Sequence, residues 1–219
     1  MRRVLVTAGA TRNPVDAIRY LSAASSGATG VALACALAPG VDLLGSDEAL
    51  LRLRIAHLEC PDGRIGSIPA HAFGSTRDLL AKVRQWVLDN PHGIVVHAAA
   101  VGDYEAPSEG RKLPSGQPAL SLHLSPAPKI LDQIRGWSAS VGIVSFKAAP
   151  PASTVEDLAR IGDAQRQRTD STLVFANTIG RLASDVVILG PSGAAVHRTR
   201  QDAMNALVQS IQEMSDQAP

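Results

Sequence analysis

The stretch from Val4 to Gly30 constrains this chain more than any other part of it. Val4, Leu5 and Val6 read as a short buried strand, and Gly9 marks a sharp exit into a polar loop. Ser25-Ser26-Gly27, with Gly30 after it, opens an Ala-rich segment from Val31 to Ala38 that reads as a tightly packed helix. A strand, a Gly/Ser/Thr-rich loop and a helix start, in that order, make an anion site. Small side chains let backbone N–H groups approach a phosphate at the positive end of the helix.

The rest of the chain repeats the alternation of strand and helix. Val41 to Gly45 reads as a second strand, and Leu51 to Leu58 alternates apolar and polar residues with the period of a half-exposed strand. Cys60 to Ala72 lacks periodicity and reads as a loop. Gly74 to Asp78 has the look of a helix start, and Leu79, Leu80, Val83, Trp86 and Val87 form its core stripe before Asn90-Pro91. Gly93 to Val101 is a near-continuous apolar run, as expected of a central parallel strand, and His97 within it reads as a satisfied core residue. Ala119 to Leu124 alternates like a strand, Pro128 to Ile134 like a short helix, and Val141 to Phe146 is another buried strand. Thr154 to Arg168 is a polar helix with Val155, Leu158, Ala159 and Ile161 inward, and Thr172 to Ala176 a strand leading to Asn177. Val186 to Leu189 and Ala194 to His197 flank Gly190-Pro-Ser-Gly193, a hairpin signature, and Gln201 to Met214 closes the chain before a frayed tail from Ser215 to Pro219. The pattern predicts an α/β fold: a doubly wound, mostly parallel, Rossmann-like sheet with a C-terminal antiparallel hairpin.

With 219 residues, 45% of them hydrophobic, the chain is long enough for one sizeable core, and residues 1–219 read as a single domain. A formal net charge of +1 gives no electrostatic reason to expect a nucleic acid or an acidic membrane as partner. No apolar run approaches the roughly 20 residues that cross a bilayer, and no signal peptide is legible at the N-terminus. Cys35 and Cys60 form no disulfide framework and lack metal-ligand spacing, so a reducing cytoplasm is expected.

Gly102 to Pro118 is a long loop at the carboxyl end of the central strand, where open α/β sheets bind ligands. Asp103 and Lys112 are its candidates for chemistry, set against the alternative that Lys112 is an ordinary solvated lysine.

Several separated stretches together resemble the phosphopantothenoylcysteine synthetase (phosphopantothenate:cysteine ligase) family. The opening V-T-A-G-A-T-R-N-P-V-D-A-I-R-Y is similar to that family's T-A-G-x-T-x-x-x-x-D-x-x-R signature, with Asp16 and Arg19 in register. Ser25-Ser26-Gly27-x-x-Gly30 resembles its S-S-G-x-x-G helix start, and His97 to Tyr104 its A-A-V-x-D-[YWF] strand end. Arg111-Lys112-Leu113 resembles the mobile lysine loop, Pro128 to Leu131 the P-x-I-L helix start, Val144 to Lys147 a strand whose Phe lies near the nucleotide, and Phe175-Ala176-Asn177 the V-A-N motif. The matches run in order from about Val4 to Leu189, with no convincing match from Leu43 to Ala72.

The resemblance implies a chemistry. A nucleoside triphosphate, CTP or ATP with Mg²⁺, activates the carboxylate of 4'-phosphopantothenate as an acyl-nucleotidylate, and an amine such as that of cysteine then displaces the nucleotide to form an amide. Such a site needs clustered donors and cations rather than general acids. Gly9, Ala10, Thr11, Ser25, Ser26 and Gly27 are implied as phosphate donors, and Ala99, Ala100, Asp103 and Phe146 as contacts of the nucleotide. Lys112 is the implied mobile cation, and Arg19 and Asn177 the substrate contacts. A homodimer is implied by resemblance alone.

Ala23 stands where the family carries an asparagine tied to handling the acyl-nucleotidylate, and alanine removes a hydrogen bond whose loss at a transition state costs about 3–4 kcal/mol. Phe146 is followed by Lys147-Ala-Ala-Pro150, without the acidic residue that follows the family's F-A-A motif, and no lysine pair follows Lys112. Three readings stay open: a working ligase with the asparagine's role moved, a divergent ligase for another acid or amine, and a non-catalytic nucleotide-binding subunit. An NAD(P)-dependent Rossmann oxidoreductase is disfavoured, because Gly9-Ala-Thr-Arg-Asn lacks the G-x-G-x-x-G fingerprint.

Overall fold

A computed structural model describes residues 1–59, 65–107, 110–114, 116, 119–180 and 185–217. Cys60 and parts of the 102–118 loop lie outside the described residues. An eight-stranded sheet forms the centre. In chain order its strands are β1 (Val4–Ala8), β4 (Val41–Gly45), β5 (Ala70–Ala72), β6 (Ile94–His97), β9 (Gly142–Ala149), β10 (Leu173–Thr178), β11 (Val186–Gly190) and β12 (Gly193–His197). Two short ribbons lie apart from it: β2 (Arg12–Pro14) with β3 (Tyr20–Ser22), and β7 (Tyr104–Glu105) with β8 (Ser125–Pro126).

The strand order is β12-β11-β10-β9-β6-β1-β4-β5. Strands β5 through β10 in that order are parallel, and β11 and β12 turn back antiparallel, as the hairpin signature predicts. From β1 the chain first winds outward to β4 and β5, then crosses to β6 on the other side of β1. The order therefore reverses between β1 and β6, and a crevice opens at their carboxyl ends.

Helices cover both faces. On one lie α1 (Ala28–Leu37), α2 (Asp47–Glu59) and α6 (Arg200–Asp216), packed on Val6, Leu43, Val96 and Phe175. On the other lie α3 (Thr76–Asp89), α4 (Ile130–Trp137) and α5 (Val155–Thr169), over Leu5, Val95, Ile143 and Val174. Ser75 caps α3, its hydroxyl accepting the Asp78 N–H, and Thr154 caps α5 in a reciprocal box with Asp157.

Four sequence expectations are corrected. Leu51 to Leu58 is helical, within α2, rather than a strand. Ser46 accepts the Ala49 N–H through its hydroxyl and the Leu50 N–H through its carbonyl, and Asp47 and Glu48 suit the positive first turn. The cap overrides the alternation, which leaves Leu51, Ile55 and Leu58 in solvent. Within Cys60 to Ala72, Ile65–Ser67 forms a 3₁₀ turn and Ala70–Ala72 joins the sheet edge beside β4. Residues 119–124 pair with nothing in a ladder; their alternating leucines stay exposed, because period two makes a strand only where a partner edge is present. The expected tail also starts later: Ser215 is buried in α6 and its carbonyl accepts the Arg2 N–H at 2.7 Å.

The first turn of α1 lies directly on β1. A Cβ at Gly30 would come within 2.6 Å of Ala8 Cβ and 2.9 Å of the Thr7 carbonyl oxygen. Gly30→Ala is therefore expected to overpack this contact and destabilise by about 1–3 kcal/mol, seen as a lower urea midpoint at unchanged m.

Candidate functional site

The two lips of the crevice are the exits of β1 and β6. Gly9 leaves β1 at φ +93°, and a Cβ there would collide with Ser46 Oγ at 1.9 Å, so both backbone and space require glycine. Ala10 bridges Ala100: the Ala100 N–H donates to the Gly9 carbonyl at 2.8 Å and the Thr11 N–H to the Ala100 carbonyl at 3.1 Å. Thr11 is fully buried, its hydroxyl oxygen accepting the Gly102 N–H at 2.9 Å and the Thr76 hydroxyl at 3.1 Å. Its hydrogen-bonding groups thus clamp the two lips together, and its N–H, one of the donors expected for phosphate, is already engaged.

Beneath the lips runs a buried polar row. Thr7, His97 and Ser145 stand opposite one another in register on β1, β6 and β9. The Thr7 hydroxyl accepts the Ala99 N–H at 3.1 Å and shares a 3.2 Å hydrogen bond with His97 Nδ1. Gln165 Nε2 donates to Ser145 Oγ at 2.9 Å and to the Phe146 carbonyl at 3.2 Å. Burial pushes the His97 pKa down to about 4, so the imidazole is neutral at pH 7, in keeping with the structural role read from the sequence.

On the other side of the crevice Gly27 caps α1 at φ +76°, packed against Ala49 and Gly9. The first turn of α1 holds no acidic residue and no side chain caps it, leaving its positive end open. Ser25 and Ser26, with Ala23, Arg12, Ser46 and Glu48, line a cavity of about 470 Å³. Ala10, Arg12 and Ser46 also line a smaller one of about 230 Å³ that reaches Asp78 and Lys82. Arg12 went unnoticed in the sequence, although it follows Gly9-Ala-Thr directly. It pairs with Asp47 at 3.1 Å and its Cζ lies 5.1 Å from the centre of the Tyr20 ring.

Asp16 organises a turn rather than a reaction. Its Oδ1 accepts the Ile18 and Arg19 N–H groups at 2.8 and 2.7 Å, and Oδ2 accepts the Leu113 N–H at 3.1 Å, with Arg19 Nη1 at 3.4 Å. The Ile18 N–H foremost, with those of Leu113 and Arg19 and the Arg19 guanidinium, holds the carboxyl below the usual range against the opposing effect of burial. Arg19 is thereby held in the turn. Lys112, beside the tethered Leu113, is exposed and lines a separate cavity of about 550 Å³ with Arg111, His123, Leu120 and Val15. That cavity shares no lining residue with the one at α1, so this conformation does not bring Lys112 and Ser25–Gly27 together.

Asp103 is exposed and ion-paired with Lys129 at the start of α4, a partner visible in the sequence only as the x of Pro-Lys-Ile-Leu. Ala99 and Ala100 are half-buried in the β6 lip. Phe146 is half-buried, its ring centre 5.1 Å from that of Phe175 and tilted by 35°. Asn177 lies two residues beyond Phe175 on β10, its amide nitrogen 3.4 Å from the Thr178 carbonyl oxygen. Among the described residues no group of three or more His, Cys, Asp and Glu is placed to hold a metal ion, and no helix is long and apolar enough to cross a membrane.

Residues 1–214 match the model of the DNA/pantothenate metabolism flavoprotein C-terminal domain. The chain belongs to that family. It is 33% identical over 219 residues to the coenzyme A biosynthesis bifunctional protein CoaBC of Thermococcus kodakarensis, covering 97% of this chain and 51% of that protein. The chain thus spans about half the length of the curated relatives it matches. The DNA/pantothenate metabolism flavoprotein from Streptococcus pneumoniae has the same fold, with a TM-score of 0.81 at 20% identity, covering 97% of this chain and 99% of that one. A Cab2 mutant in complex with phosphopantothenate-cysteine superposes with a TM-score of 0.71 at 18% identity over 99% of this chain and 89% of its own. The family signal read from Val4 to Leu189 is therefore correct, and so is the doubly wound fold.

Two acid-side effects follow for this family member. The folded state binds the His97 proton only near pH 4, against about 6.5 in the unfolded chain, so stability falls as pH drops through that window, by up to about 3 kcal/mol. His97→Gln is expected to flatten the pH dependence of the urea midpoint between pH 7 and pH 4. Asp16, with its carboxyl depressed, contributes stability that is present above about pH 4 and is lost on further acidification. Asp16→Ala is expected to weaken the pH dependence of stability below pH 4 and to remove the hydrogen-exchange protection of the Leu113 amide.

Proposed function

We propose that the chain is a nucleotide-dependent amide-forming ligase of the phosphopantothenate:cysteine type, working through an acyl-nucleotidylate. The observation that carries this reading is the uncapped, acid-free first turn of α1 facing the β1/β6 switch point, in a chain of this family. Support comes also from the relatives named for coenzyme A biosynthesis and from the Cab2 structure named for phosphopantothenate-cysteine.

In this reading the base of CTP or ATP rests against Ala99, Ala100 and Phe146 with Asp103 at its edge, and the phosphates meet the α1 turn at Ser25 to Gly27 beside Arg12. A carboxylate oxygen of the acid attacks the α-phosphorus and pyrophosphate leaves. The amine nitrogen then attacks the acyl carbon, the nucleoside monophosphate leaves, and the ammonium loses its proton to water. The protein's part is to hold two anions together and to exclude rotation. Mg²⁺ neutralises the phosphates; it suits this site as an ion carried in on the nucleotide, since such ions keep several waters and need few protein ligands. Lys112 must swing from its own cavity toward the phosphates, and the Asp16–Leu113 tether sets where that segment pivots. The cavity around Arg111, Lys112 and His123, cationic with Val15, Leu120 and Leu122 as apolar wall, suits a small acid carrying a phosphate. Arg19 and Asn177 stand as substrate contacts in this reading.

Ala23 favours a second reading, in which the acid or the amine differs or ligation is not completed. It presents a bare methyl to the cavity at Ser25 and Ser26. A homodimer belongs to this reading by resemblance, and light scattering reads it directly.

The test is pyrophosphate release with CTP or ATP and 4'-phosphopantothenate, then with cysteine, following acyl-nucleotide and amide by mass spectrometry. Amide formation is expected, with Lys112→Gln lowering kcat about 10²–10³-fold, the usual loss for one donor at a developing charge. Acyl-nucleotide without amide points to a different amine, and no turnover despite nucleotide binding points to a different acid or to the binding subunit.

A further inference from the structure

Arg200 is the first residue of α6, placed there by the Thr199 cap, whose hydroxyl accepts the Asp202 N–H at 3.1 Å. The side chain crosses to α1. Its Nη2 donates to Thr29 Oγ1 at 2.7 Å, and its Cζ stands 5.4 Å above the centre of the Phe175 ring. Its Nη1 is buried and has no hydrogen-bond partner, and among the described residues no carboxylate pairs with the guanidinium.

Other arginines turned toward the protein meet carbonyls or a carboxylate; Arg135 Nε, also buried without a hydrogen bond, stands 2.8 Å from an Asp170 carboxylate oxygen. Arg2 donates to the carbonyls of His92, Gly93 and Ser140, and Arg135 to those of Ala139, Val141 and Asp170. Arg200 stands apart in three ways. A buried donor is left open on a charged group, which is costly. The cation sits at the positive end of its own helix, where the dipole opposes it. The neighbouring positive end, the first turn of α1 at Thr29, holds no acidic residue. The carboxylate in the first turn of α6, Asp202, is bound by the Thr199 hydroxyl at 2.7 Å. Burial accordingly pushes the Arg200 pKa below the ordinary guanidinium value.

We propose that Arg200 is a phosphate-binding residue of the nucleotide site, its unpartnered Nη1, covered in the ligand-free chain, turning to an anionic oxygen at the first turn of α1 while Thr29 and the Phe175 ring hold the guanidinium. The proposal rests on the nucleotide reading given above. Guanidinium is suited to the task, since it carries a permanent charge and directed donors for phosphate. The ring beneath it, Phe175, packs on Phe146, so one aromatic pair supports the phosphate end and the base end of the same ligand.

The experiment is a calorimetric titration of the whole chain with CTP, ATP, their nucleosides and inorganic pyrophosphate, on wild type, Arg200→Met and Arg200→Lys, with Tm measured for each. Arg200→Met, which retains packing on Phe175, is expected to weaken triphosphate binding about tenfold or more, the scale of a charge-assisted hydrogen bond. Nucleoside affinity is expected to stay as in wild type, Arg200→Lys to recover part of the loss, and the ligand-free Tm of Arg200→Met to be no lower than wild type. Unchanged triphosphate affinity would overturn the proposal, as would equal losses for nucleoside and triphosphate or a lowered ligand-free Tm, each the mark of a structural arginine. If wild type binds neither CTP nor ATP, the nucleotide reading itself fails. Pyrophosphate then decides separately: Arg200-dependent binding supports the anion site, and its absence overturns it.

Discussion

The rest of the site depends on how closely the first turn of α1 lies on the exit of β1. Gly9 and Gly27 both adopt left-handed backbone, a Cβ on Gly27 would come within 2.8 Å of Gly9 N, and the Ser46 hydroxyl fills the space where a Gly9 Cβ would stand. Three elements thus meet with only the small side chains of Ser46 and Ala49 between them: the end of β1, the start of α1 and the start of α2. That approach brings the free N–H groups of α1 to the strand ends, where an anion can use them.

From this contact the crevice divides into a stiff part and a tethered part. The β1 and β6 lips are cross-linked through Ala10 and Ala100, through the Thr11 hydroxyl and through the Thr7–His97–Ser145 row below. Asn13 extends the clamp, donating to the Tyr104 carbonyl and accepting the Thr76 N–H, each at 2.8 Å. The segment carrying Lys112 is tied more lightly, by the Asp16 carboxylate to the Leu113 amide and the Ala17 N–H to the Arg111 carbonyl. In the ligase reading proposed above, the stiff lips would serve as a preorganised surface and the Lys112 segment as the movable cation.

Most of the central sheet was legible because its strands are apolar on both faces, and α3 and α5 were legible because Ser75 and Thr154 announce them. The failures have local causes. Leu51 to Leu58 alternates, yet Ser46-Asp47-Glu48 starts a helix that carries the alternation round its surface. Residues 119–124 alternate too, with no neighbouring edge to complete a ladder. The β2–β3 ribbon hides in a polar stretch, where pairing follows from the Asp16 turn rather than from a hydrophobic pattern. In the site, Gly9 and Ser25 to Gly27 could be found from their spacing. Arg12, Lys129 and Arg200 could not, because an isolated basic residue in a sequence reads as solvated surface until its neighbours are known.

The sequence by itself determined the fold class and the family, because apolar periodicity, glycine placement and ordered motifs are properties of the chain alone. Only the tertiary structure decided what each polar side chain is used for. It engaged Thr11 in a clamp, held Arg19 in a turn, set Lys112 in a cavity of its own and left one nitrogen of Arg200 open beside α1. The reason is physical: a hydrogen bond or an ion pair depends on distances between residues as far apart as Thr29 and Arg200, which folding sets and sequence spacing does not.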